Sequence, residues 1–236
     1  MKKVIQRSDE RGVAEHGWLH SRFSFSFAEY YNPKQMGFGL LRVLNDDIIE
    51  PGEGFGTHPH NNMEIITIIQ KGTLAHKDSM GSVSTITPGE VQVMSAGSGI
   101  LHSEYNHSDD EKVELKQIWI MTKERNIKPR YDQKYFSFTE DPNYFETVVS
   151  GKNSDGMLYI HQDAAISIGK LDKAQKEKYK MKFAGNGAYL FVLNGSIEVD
   201  GDVLNKKDAA GIYETDEFEF SVLEDSEFLI IEVPMN

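Results

Sequence analysis

Two short segments of the chain carry histidine and glutamate at spacings typical of metal ligands. The first contains the pair His58 and His60, followed by Glu64, and the second contains His102 and Glu104. Side chains two residues apart on an extended strand point to the same face, so each segment can direct two donors at one point. Three neutral imidazoles and a carboxylate would hold a divalent first-row metal ion and leave coordination positions open. The spacing therefore predicts a metal centre with room for catalysis.

A histidine on its own is more often an ordinary surface or core residue than a metal ligand. Two segments with matching geometry favour the metal, and Pro59 supports it because proline fixes its own backbone angle and holds His58 extended. The chain contains no cysteine, which excludes disulfides, thiolate nucleophiles and cysteine-bound clusters. Any metal must therefore be bound by nitrogen and oxygen.

The elements that must position these residues are predicted to be β-strands. Short runs of β-branched and aromatic residues recur between Gly, Pro, Asn and Asp, and helical periodicity is scarce. The candidate strands are 38–43, 63–70, 83–86, 91–95, 115–121, 188–193, 197–199 and 227–232. Many short strands at close spacing indicate an all-β sandwich or barrel.

The chain is predicted to contain two β-rich domains. The first spans 1–125, a connector spans 126–145, and the second spans 146–236. The connector region is polar, contains Pro129 and Pro142 and shows neither helical nor strand periodicity. A weak internal repeat supports two copies of one unit, because segment 65–74 can be aligned with segment 189–197 if one residue is gapped.

Charge and hydropathy exclude several classes of partner. The chain has 25 basic and 37 acidic residues, a net charge of −12, and this field would repel a phosphate backbone. We therefore expect no direct binding of nucleic acid. No apolar run approaches the 18 residues of a membrane span, and the two lysines near the start precede no apolar segment. We expect no membrane association and a cytoplasmic location.

Residues around the two histidine segments resemble motifs of a known family. Similarity to the first cupin motif is carried by Gly52, His58, His60, Glu64 and Gly72, and similarity to the second by Gly89, Gly97, His102 and Asn106. The long interval between Glu64 and Gly72, the serine at position 95, and segments 72–81 and 95–104 resemble the pirin branch of the cupins. Segments 16–19, 25–27 and 129–131 also resemble pirins, so the resemblance covers nearly the whole chain. Among pirins, the chain looks closest to bacterial pirin-like quercetin 2,3-dioxygenases.

The resemblance implies a bicupin fold, with two β-barrels of the double-stranded β-helix or jelly-roll type. It also implies one divalent metal ion, in the N-terminal barrel only, held by residues matching His58, His60, His102 and Glu104. Fe(II) is the first expectation, with Mn, Co, Ni, Cu or Zn as alternatives. The pirin pattern gives the carboxylate ligand to Glu104, so we assign Glu64 to a supporting position, where it orients a ligand or takes a proton.

The implied activity is a metal-dependent dioxygenase that cleaves a flavonol such as quercetin with O2, releasing carbon monoxide and a depside. Either Glu104 or Glu64 would be the base. An alternative is a metal- or redox-sensing regulatory module that binds a protein partner, because some pirins act in that way. The sequence does not separate these hypotheses, since both use the same metal ligands.

Other residues near the predicted site have structural interpretations that we prefer. His76 and Asp78 follow a glycine turn and are expected at a turn or on the surface, with a role in supporting the ligands as the alternative. Several large apolar residues are candidates for lining a pocket over the metal, although such residues belong to the core by default. These are Phe38, Phe55, Met63, Met94 and Trp119.

Overall fold

Strands account for nearly all regular structure in residues 1–153 and 156–236, which the computed structural model describes. The all-β class predicted from the sequence is confirmed. The strands of the first half are β1 (Lys2–Gln6), β2 (Gly12–Glu15), β3 (Leu19–Phe23), β4 (Leu41–Ile49), β5 (Gly54–His60), β6 (Met63–Lys71), β7 (Leu74–Asp78), β8 (Val83–Ile86), β9 (Glu90–Ser95), β10 (Ile100–Asn106), β11 (Val113–Met121) and β12 (Arg130–Tyr135). Those of the second half are β13 (Tyr144–Ser150), β14 (Leu158–Tyr159), β15 (Ala165–Leu171), β16 (Lys176–Lys180), β17 (Asn186–Val199), β18 (Asp202–Asn205), β19 (Ala209–Tyr213) and β20 (Glu217–Pro234).

The N-terminal barrel is built from two sheets that face each other. One has seven strands in the order β12-β9-β6-β11-β4-β3-β2, and the other has four in the order β5-β10-β7-β8. Apolar side chains of both sheets meet between them, among them Ile69 and Leu115 from the larger sheet and Leu74 and Ile86 from the smaller. The four-stranded sheet contains both predicted histidine segments, on the neighbouring strands β5 and β10.

The larger sheet is buried on both faces, which explains the continuous apolar run in β6. Side chains alternate along a strand, so Ile65 and Ile69 point into the barrel while Ile66 and Ile68 point towards the C-terminal half. The largest apolar core lies on that second side and combines residues of both halves, including Ile118 and Phe191.

The C-terminal half is one nine-stranded sheet with β17 and β20 near its centre. Segments 188–193 and 197–199, predicted as two strands, are parts of the single strand β17. Gly195 has φ of +83°, and a Cβ there would lie 2.3 Å from Asp225 O. The glycine and the register shifts around it bend the strand without ending it.

Two features differ from the predicted division of the chain. The expected connector, 126–145, contains β12, which pairs with β9 of the N-terminal sheet. This strand is polar and lies at a sheet edge, so it lacks the apolar alternation by which strands are recognised. At the other end, β1 pairs with β19 of the C-terminal sheet, although it lies within the predicted first domain. The exact domain boundaries stay a prediction.

A buried group of charges joins the halves beside the shared core. Asp46 forms ion pairs with Lys116 from the neighbouring strand and with Lys207 from the C-terminal half, the latter at 2.8 Å. Burial lowers the pKa of Lys116 to about 8. Burial alone would raise the pKa of Asp46, but the two lysine charges outweigh it and lower that pKa.

Within residues 1–153 and 156–236, no helix has the length and apolar character needed to cross a bilayer.

Candidate metal centre

The pairing of β5 with β10 brings the three predicted histidine ligands together. His58 lies directly opposite His102, and His60 lies opposite Ile100. The ring centroids are 4.4 Å apart for His58 and His102, and 4.9 Å apart for each of the other two histidine pairs. One nitrogen from each ring lies within 4.8 Å of the others. The structure thus forms the three-imidazole group predicted from the spacing.

Glycine allows the close backbone approaches that this pairing requires. Gly97 precedes β10 with φ of +48°, and a Cβ there would lie 2.1 Å from Ile127 O. Gly54 begins β5, and a Cβ there would lie 2.2 Å from Glu104 O. A larger residue at Gly54 would push β5 away from β10, and one at Gly97 would push the start of β10 away from the backbone of Ile127.

The histidines have the protonation and hydrogen bonding that metal ligands need. His58 Nδ1 donates a hydrogen bond to Gly56 O at 2.8 Å, which leaves Nε2 free to bind a metal. Burial, with the charge of neighbouring histidines, lowers the pKa of His60 to about 4 and that of His102 to about 2. These two rings are therefore neutral at pH 7, the form that binds metals.

His102 provides a direct test of whether the site fits a metal. Its side chain is 2% exposed, and both ring nitrogens are buried without a hydrogen-bond partner in the described residues. A buried polar atom without a partner costs free energy, so a metal ion would supply the missing interaction. The donor set, imidazole nitrogen and carboxylate oxygen, suits a divalent first-row ion.

Glu104, the predicted fourth ligand, lies two residues after His102 on β10. A register shift between His102 and Glu104 interrupts the pairing of β10 with β5. The carboxylate oxygens accept hydrogen bonds from Gln117 Nε2 at 3.3 and 3.2 Å. Burial raises the pKa of Glu104 to about 7, and the nearby charge of Asp47 adds to the shift. Glu104 groups with His102 and His76 within 4.8 Å, so His102 is common to both possible ligand groups.

His76 and Asp78 are buried in β7 and not at the surface. His76 Nε2 lies 3.3 Å from Asp78 Oδ2, its Nδ1 lies 3.4 Å from Gln92 Nε2, and its ring stacks on Tyr131 at 4.8 Å. The expected position at a turn or on the surface is wrong for His76, because β7 is an inner strand of the small sheet, between β10 and β8. Asp78 lies at the turn that follows β7, where its Oδ1 accepts hydrogen bonds from Met80 N and Ser82 N, but its side chain is buried. The alternative, that His76 supports the ligands, agrees with its ring lying 5.3 Å from that of His102.

The structure does not bring Glu64 to the metal ligands. Its side chain is fully buried, accepts hydrogen bonds from Ser95 Oγ at 2.6 Å and Thr122 Oγ1 at 3.3 Å, and shares its sheet face with Ile66. That face points towards the C-terminal half. The expectation that Glu64 orients a ligand or acts as the base is therefore corrected. His58 and Glu64 both have even residue numbers, and on one continuous strand they would point to the same face. A turn separates β5 from β6, so this alternation does not continue between the two residues.

A cavity of about 440 Å³ opens above the site. His58, His60 and Glu104 line it, and His102 lies beneath. Of the five apolar candidates, Phe55 and Trp119 line the cavity, Phe38 lies in the core shared by the two halves, and Met63 and Met94 pack beside Ile65. The aromatic residues of the lining are Trp18, Phe27, Phe55 and Trp119. A cavity of this size with flat walls suits a drug-sized planar molecule.

Sequence reasoning missed a row of polar side chains on the inner face of the large sheet. Backbone register places them opposite one another on consecutive strands, in the order Asn45, Gln117, Thr67 and Gln92. All four are buried. Single polar residues within otherwise apolar strands, such as Gln92 between Val91 and Val93, are the pattern from which this row could have been found.

Family models and relatives agree over nearly the whole chain. The model described as Pirin matches residues 5–120, and the model described as Quercetinase C-terminal cupin domain matches residues 147–233. A quercetin 2,3-dioxygenase of Escherichia coli K12 is 42% identical over 230 residues, which is 98% of each chain. A putative quercetin 2,3-dioxygenase of Pseudomonas aeruginosa is 42% identical, covering 95% of this chain and 97% of the relative.

Solved structures show the same architecture. The crystal structure of the bacterial pirin YhhW from E. coli in complex with nickel(II) has a TM-score of 0.93 and 41% identity, and covers 99% of both chains. An oxalate decarboxylase from Lactobacillus farciminis, at 10% identity and a TM-score of 0.71, shares the fold alone. The bicupin fold expected from the resemblance is confirmed.

Proposed function

Because this chain belongs to the pirin family, we propose that it is a metal-dependent dioxygenase that cleaves a flavonol such as quercetin with O2. The products would be carbon monoxide and a depside. The observation that supports this proposal best is the cluster of three imidazoles from His58, His60 and His102 beside an aromatic-lined cavity. Glu104 groups with one of these imidazoles, that of His102. Relatives named quercetin 2,3-dioxygenase, whose alignments cover nearly the whole chain, also support the proposal.

The metal would be held by His58, His60, His102 and Glu104. We propose Fe(II), while the nickel complex of the related E. coli pirin indicates that such a site accepts other divalent ions. A bound metal acts as a Lewis acid that lowers the pKa of the flavonol 3-hydroxyl and makes the ring reactive towards O2.

The cavity walls orient the substrate. Trp119 packs edge-on against His60, with ring centroids 4.7 Å apart, and Phe27 packs edge-on against Trp119 at 5.4 Å. Phe55 lies on the other side, 6.4 Å from His58. These walls exclude water from the reacting end of the flavonol and hold its fused rings close to the imidazoles.

Glu104 is the residue that we propose as the base. A metal cation at the site would keep Glu104 ionised, and a carboxylate oxygen that is released from the metal can accept a proton. In our proposal a carboxylate oxygen of Glu104 takes the proton of the substrate 3-hydroxyl, while Gln117 Nε2 keeps the group oriented through its two hydrogen bonds.

The proposal is tested with Fe(II)-loaded protein, first kept anaerobic and then exposed to O2 in the presence of quercetin. Loss of the flavonol absorbance and release of carbon monoxide are measured together with metal content. His102→Ala should lose metal and turnover, since it removes the one histidine common to both ligand groups. His161→Ala, the only histidine in the predicted C-terminal domain, should keep both and serves as the control.

Two outcomes would contradict the dioxygenase. Turnover that survives in His102→Ala would exclude the proposed metal centre. A full complement of metal with no carbon monoxide release would instead favour the regulatory alternative, in which the metal state controls binding to a protein partner. The cytoplasmic location expected from the sequence stays a prediction.

A further inference from the structure

The connection between β3 and β4 is an irregular segment that borders the metal cavity. It runs from residue 24 to residue 40 and contains neither helix nor strand. One of its residues, Phe27, lines the cavity together with Trp119 and His60. Connections longer than about 12–15 residues without secondary structure are uncommon in compact domains, and ordered ones usually serve as active-site lids or binding loops. This segment is therefore a candidate for controlling access to the cavity.

Both ends of the segment are anchored on one aromatic residue of the C-terminal half. Phe25 and Phe38 are buried, and their ring centroids lie 5.5 and 5.6 Å from that of Tyr189. The chain between them, residues 26–37, therefore leaves the core and returns to it at the same place. Such a closed surface loop is an Ω-loop.

Hydrogen bonds within the Ω-loop hold its shape. Ser26 Oγ accepts a hydrogen bond from Asn32 N and donates one to Asn32 O, both at 2.9 Å. Ser26 N donates to Gln35 O at 2.6 Å, and Tyr30 Oη donates to Gln35 Oε1 at 2.8 Å. Phe27 and Tyr30 exchange two backbone hydrogen bonds across a tight turn. Because these bonds join parts of the same loop, the Ω-loop can move as one body without breaking them.

Two aromatic residues hold the Ω-loop against the barrel. Phe27 packs edge-on against Trp119, with ring centroids 5.4 Å apart, and lies 5.3 Å from Phe23. Tyr30 lies 6.4 Å from Phe23 and covers Gly12 so closely that a Cβ there would lie 2.4 Å from its ring. Most of the remaining residues of the loop are exposed to solvent. Release of a few ring contacts would therefore free the loop.

The turn between these two rings is strained. Ala28 has φ of +49°, in the left-handed region that residues with a side chain rarely adopt. Strained backbone persists only where the surrounding contacts enforce it, and it is frequent at ligand clamps and switch regions. The contacts of Phe27 and Tyr30 thus hold a conformation that the local sequence does not favour.

We propose that the Ω-loop is a lid, which opens as one body to admit a ligand to the metal cavity and closes with Phe27 on Trp119. Trp119 also packs edge-on against His60, at 4.7 Å, so closure completes a row of rings that ends at a proposed metal ligand. A closed lid would exclude water and keep the ligand in place. Movement of the lid does not depend on the identity of the ligand, whereas its control of flavonol entry rests on the proposed function.

Distances between two spin labels measure the movement without a ligand or a metal. The chain has no cysteine, so labels attach only where Tyr31→Cys on the lid and Val83→Cys on β8 introduce one, at positions that are 73% and 74% exposed. Double electron–electron resonance on this labelled protein should give one dominant distance, that of the closed lid. Addition of Phe27→Ala should produce a second distance and raise the ratio of open to closed lid about two- to tenfold, as expected for loss of one aromatic pair.

Two further variants control for a general loss of packing. Phe183→Ala is the matched control, because Phe183 is also a half-buried phenylalanine but contacts Lys152 in the C-terminal half. It should leave the distances unchanged. Phe27→Leu keeps apolar bulk and removes the ring, so it should change the ratio in the same direction by less. Thermal unfolding of each variant shows that it is folded.

Stopped-flow binding of quercetin separates a lid from a fixed wall. Trp18 and Trp119 both line the cavity, so quenching of tryptophan fluorescence in anaerobic, nickel-loaded protein follows binding without turnover. Loss of a lid contact should raise the association and dissociation rate constants together, by about two- to tenfold, and change the dissociation constant less. Loss of a fixed wall would raise the dissociation rate constant alone.

Two results would overturn the inference. A Phe27→Ala protein that keeps the single distance of its parent has no movable lid, whether or not a flavonol binds. A change confined to the dissociation rate constant means that Phe27 is a fixed wall of the cavity. If the second distance appears and quercetin does not bind the parent protein, the lid stands and the proposed function fails.

Discussion

At the scale of single residues, two buried side chains of the site, His102 and Glu104, differ in whether a neighbouring residue forms a hydrogen bond with them. His102 has two unpaired ring nitrogens, and burial keeps it neutral. Glu104 is the opposite case, since its carboxylate is held by Gln117. A ligand that is held in place by a neighbouring group binds metal more tightly, and loss of such a neighbour typically costs 10–100-fold in affinity.

We therefore predict that Gln117→Leu weakens metal binding by about 10–100-fold, because Glu104 loses its only side-chain hydrogen-bond donor among the described residues. Competition with a chromophoric chelator measures the affinity. Gln6→Leu is the matched control, since Gln6 is also a buried glutamine but lies on β1 and donates to Ser24 O, away from the metal ligands. Equal loss in both variants would show that the effect is one of packing.

The second residue-scale prediction concerns Asp47 and pH. Burial raises the pKa of Asp47 in the folded protein from 3.8 to about 6, and the charge of Asp46 adds to the shift. The folded state then binds more protons than the unfolded state between these values, so this group's contribution to stability falls as the pH rises from about 4 to about 6. In Asp47→Asn the contribution is absent at every pH.

The difference in unfolding free energy, wild type minus Asp47→Asn, should accordingly fall by roughly 1–3 kcal/mol across that interval and then level off. Urea unfolding in the presence of a chelator, at half-unit pH steps from 4 to 8, measures it. A difference that rises with pH would mean that the folded state favours the ionised carboxylate.

At the scale of elements, the pairing of β5 with β10 is what turns two sequence segments into one site. The strands run antiparallel, so a slip of one residue would move His102 away from His58 and onto the other face. The close approach of Gly54 to the backbone of Glu104 helps to hold the register at the irregular position in β10.

We predict that Gly54→Ala destabilises the protein by roughly 1–3 kcal/mol, the usual cost of overpacking, and weakens metal binding. The new Cβ would lie 2.2 Å from Glu104 O and would force β5 away from β10. Gly56→Ala is the control on the same strand, because its nearest contact is Tyr105 Oη at 3.7 Å. Thermal unfolding and metal titration of both variants would test the prediction, and equal effects would contradict it.

At the scale of the whole molecule, the two halves share a core and a set of buried charges. The apolar core between them contains residues from both, and Asp46 is paired with Lys116 of one half and Lys207 of the other. Arg11 lies 3.7 Å from the same carboxylate. One negative charge thus compensates three positive charges, of which those of Arg11 and Lys116 are buried.

We predict that Asp46→Asn lowers the unfolding free energy by about 3 kcal/mol or more, because removal of one partner leaves buried charges without compensation. Asp132→Asn, which breaks the half-exposed pair with Arg130, should have little effect, since such pairs contribute little. Chemical denaturation of the two variants beside the wild type gives the comparison. An Asp46→Asn protein as stable as the control would show that the charges are not coupled.

The donor types, their order along the chain and the class of fold could be predicted from the amino-acid sequence alone. Lack of cysteine limits ligands to nitrogen and oxygen, and the two-residue spacing within β5 and within β10 follows from the geometry of a single strand. The apolar run of β6 also predicted a buried strand correctly. These are local properties, so local pattern is sufficient to recognise them.

How one strand faces another could not be predicted from local sequence patterns, because it depends on the packing of the whole chain. The alternation of side-chain directions along β5 does not continue in phase across the turn into β6. Glu64 therefore points towards the C-terminal half and does not lie beside His58. Edge pairing made a strand of the polar segment Arg130–Tyr135. Pairing of β11 with β4 placed Gln117 beside Asn45 in one wall of the cavity. Each outcome depends on which surfaces pack together, and that is set by the whole chain.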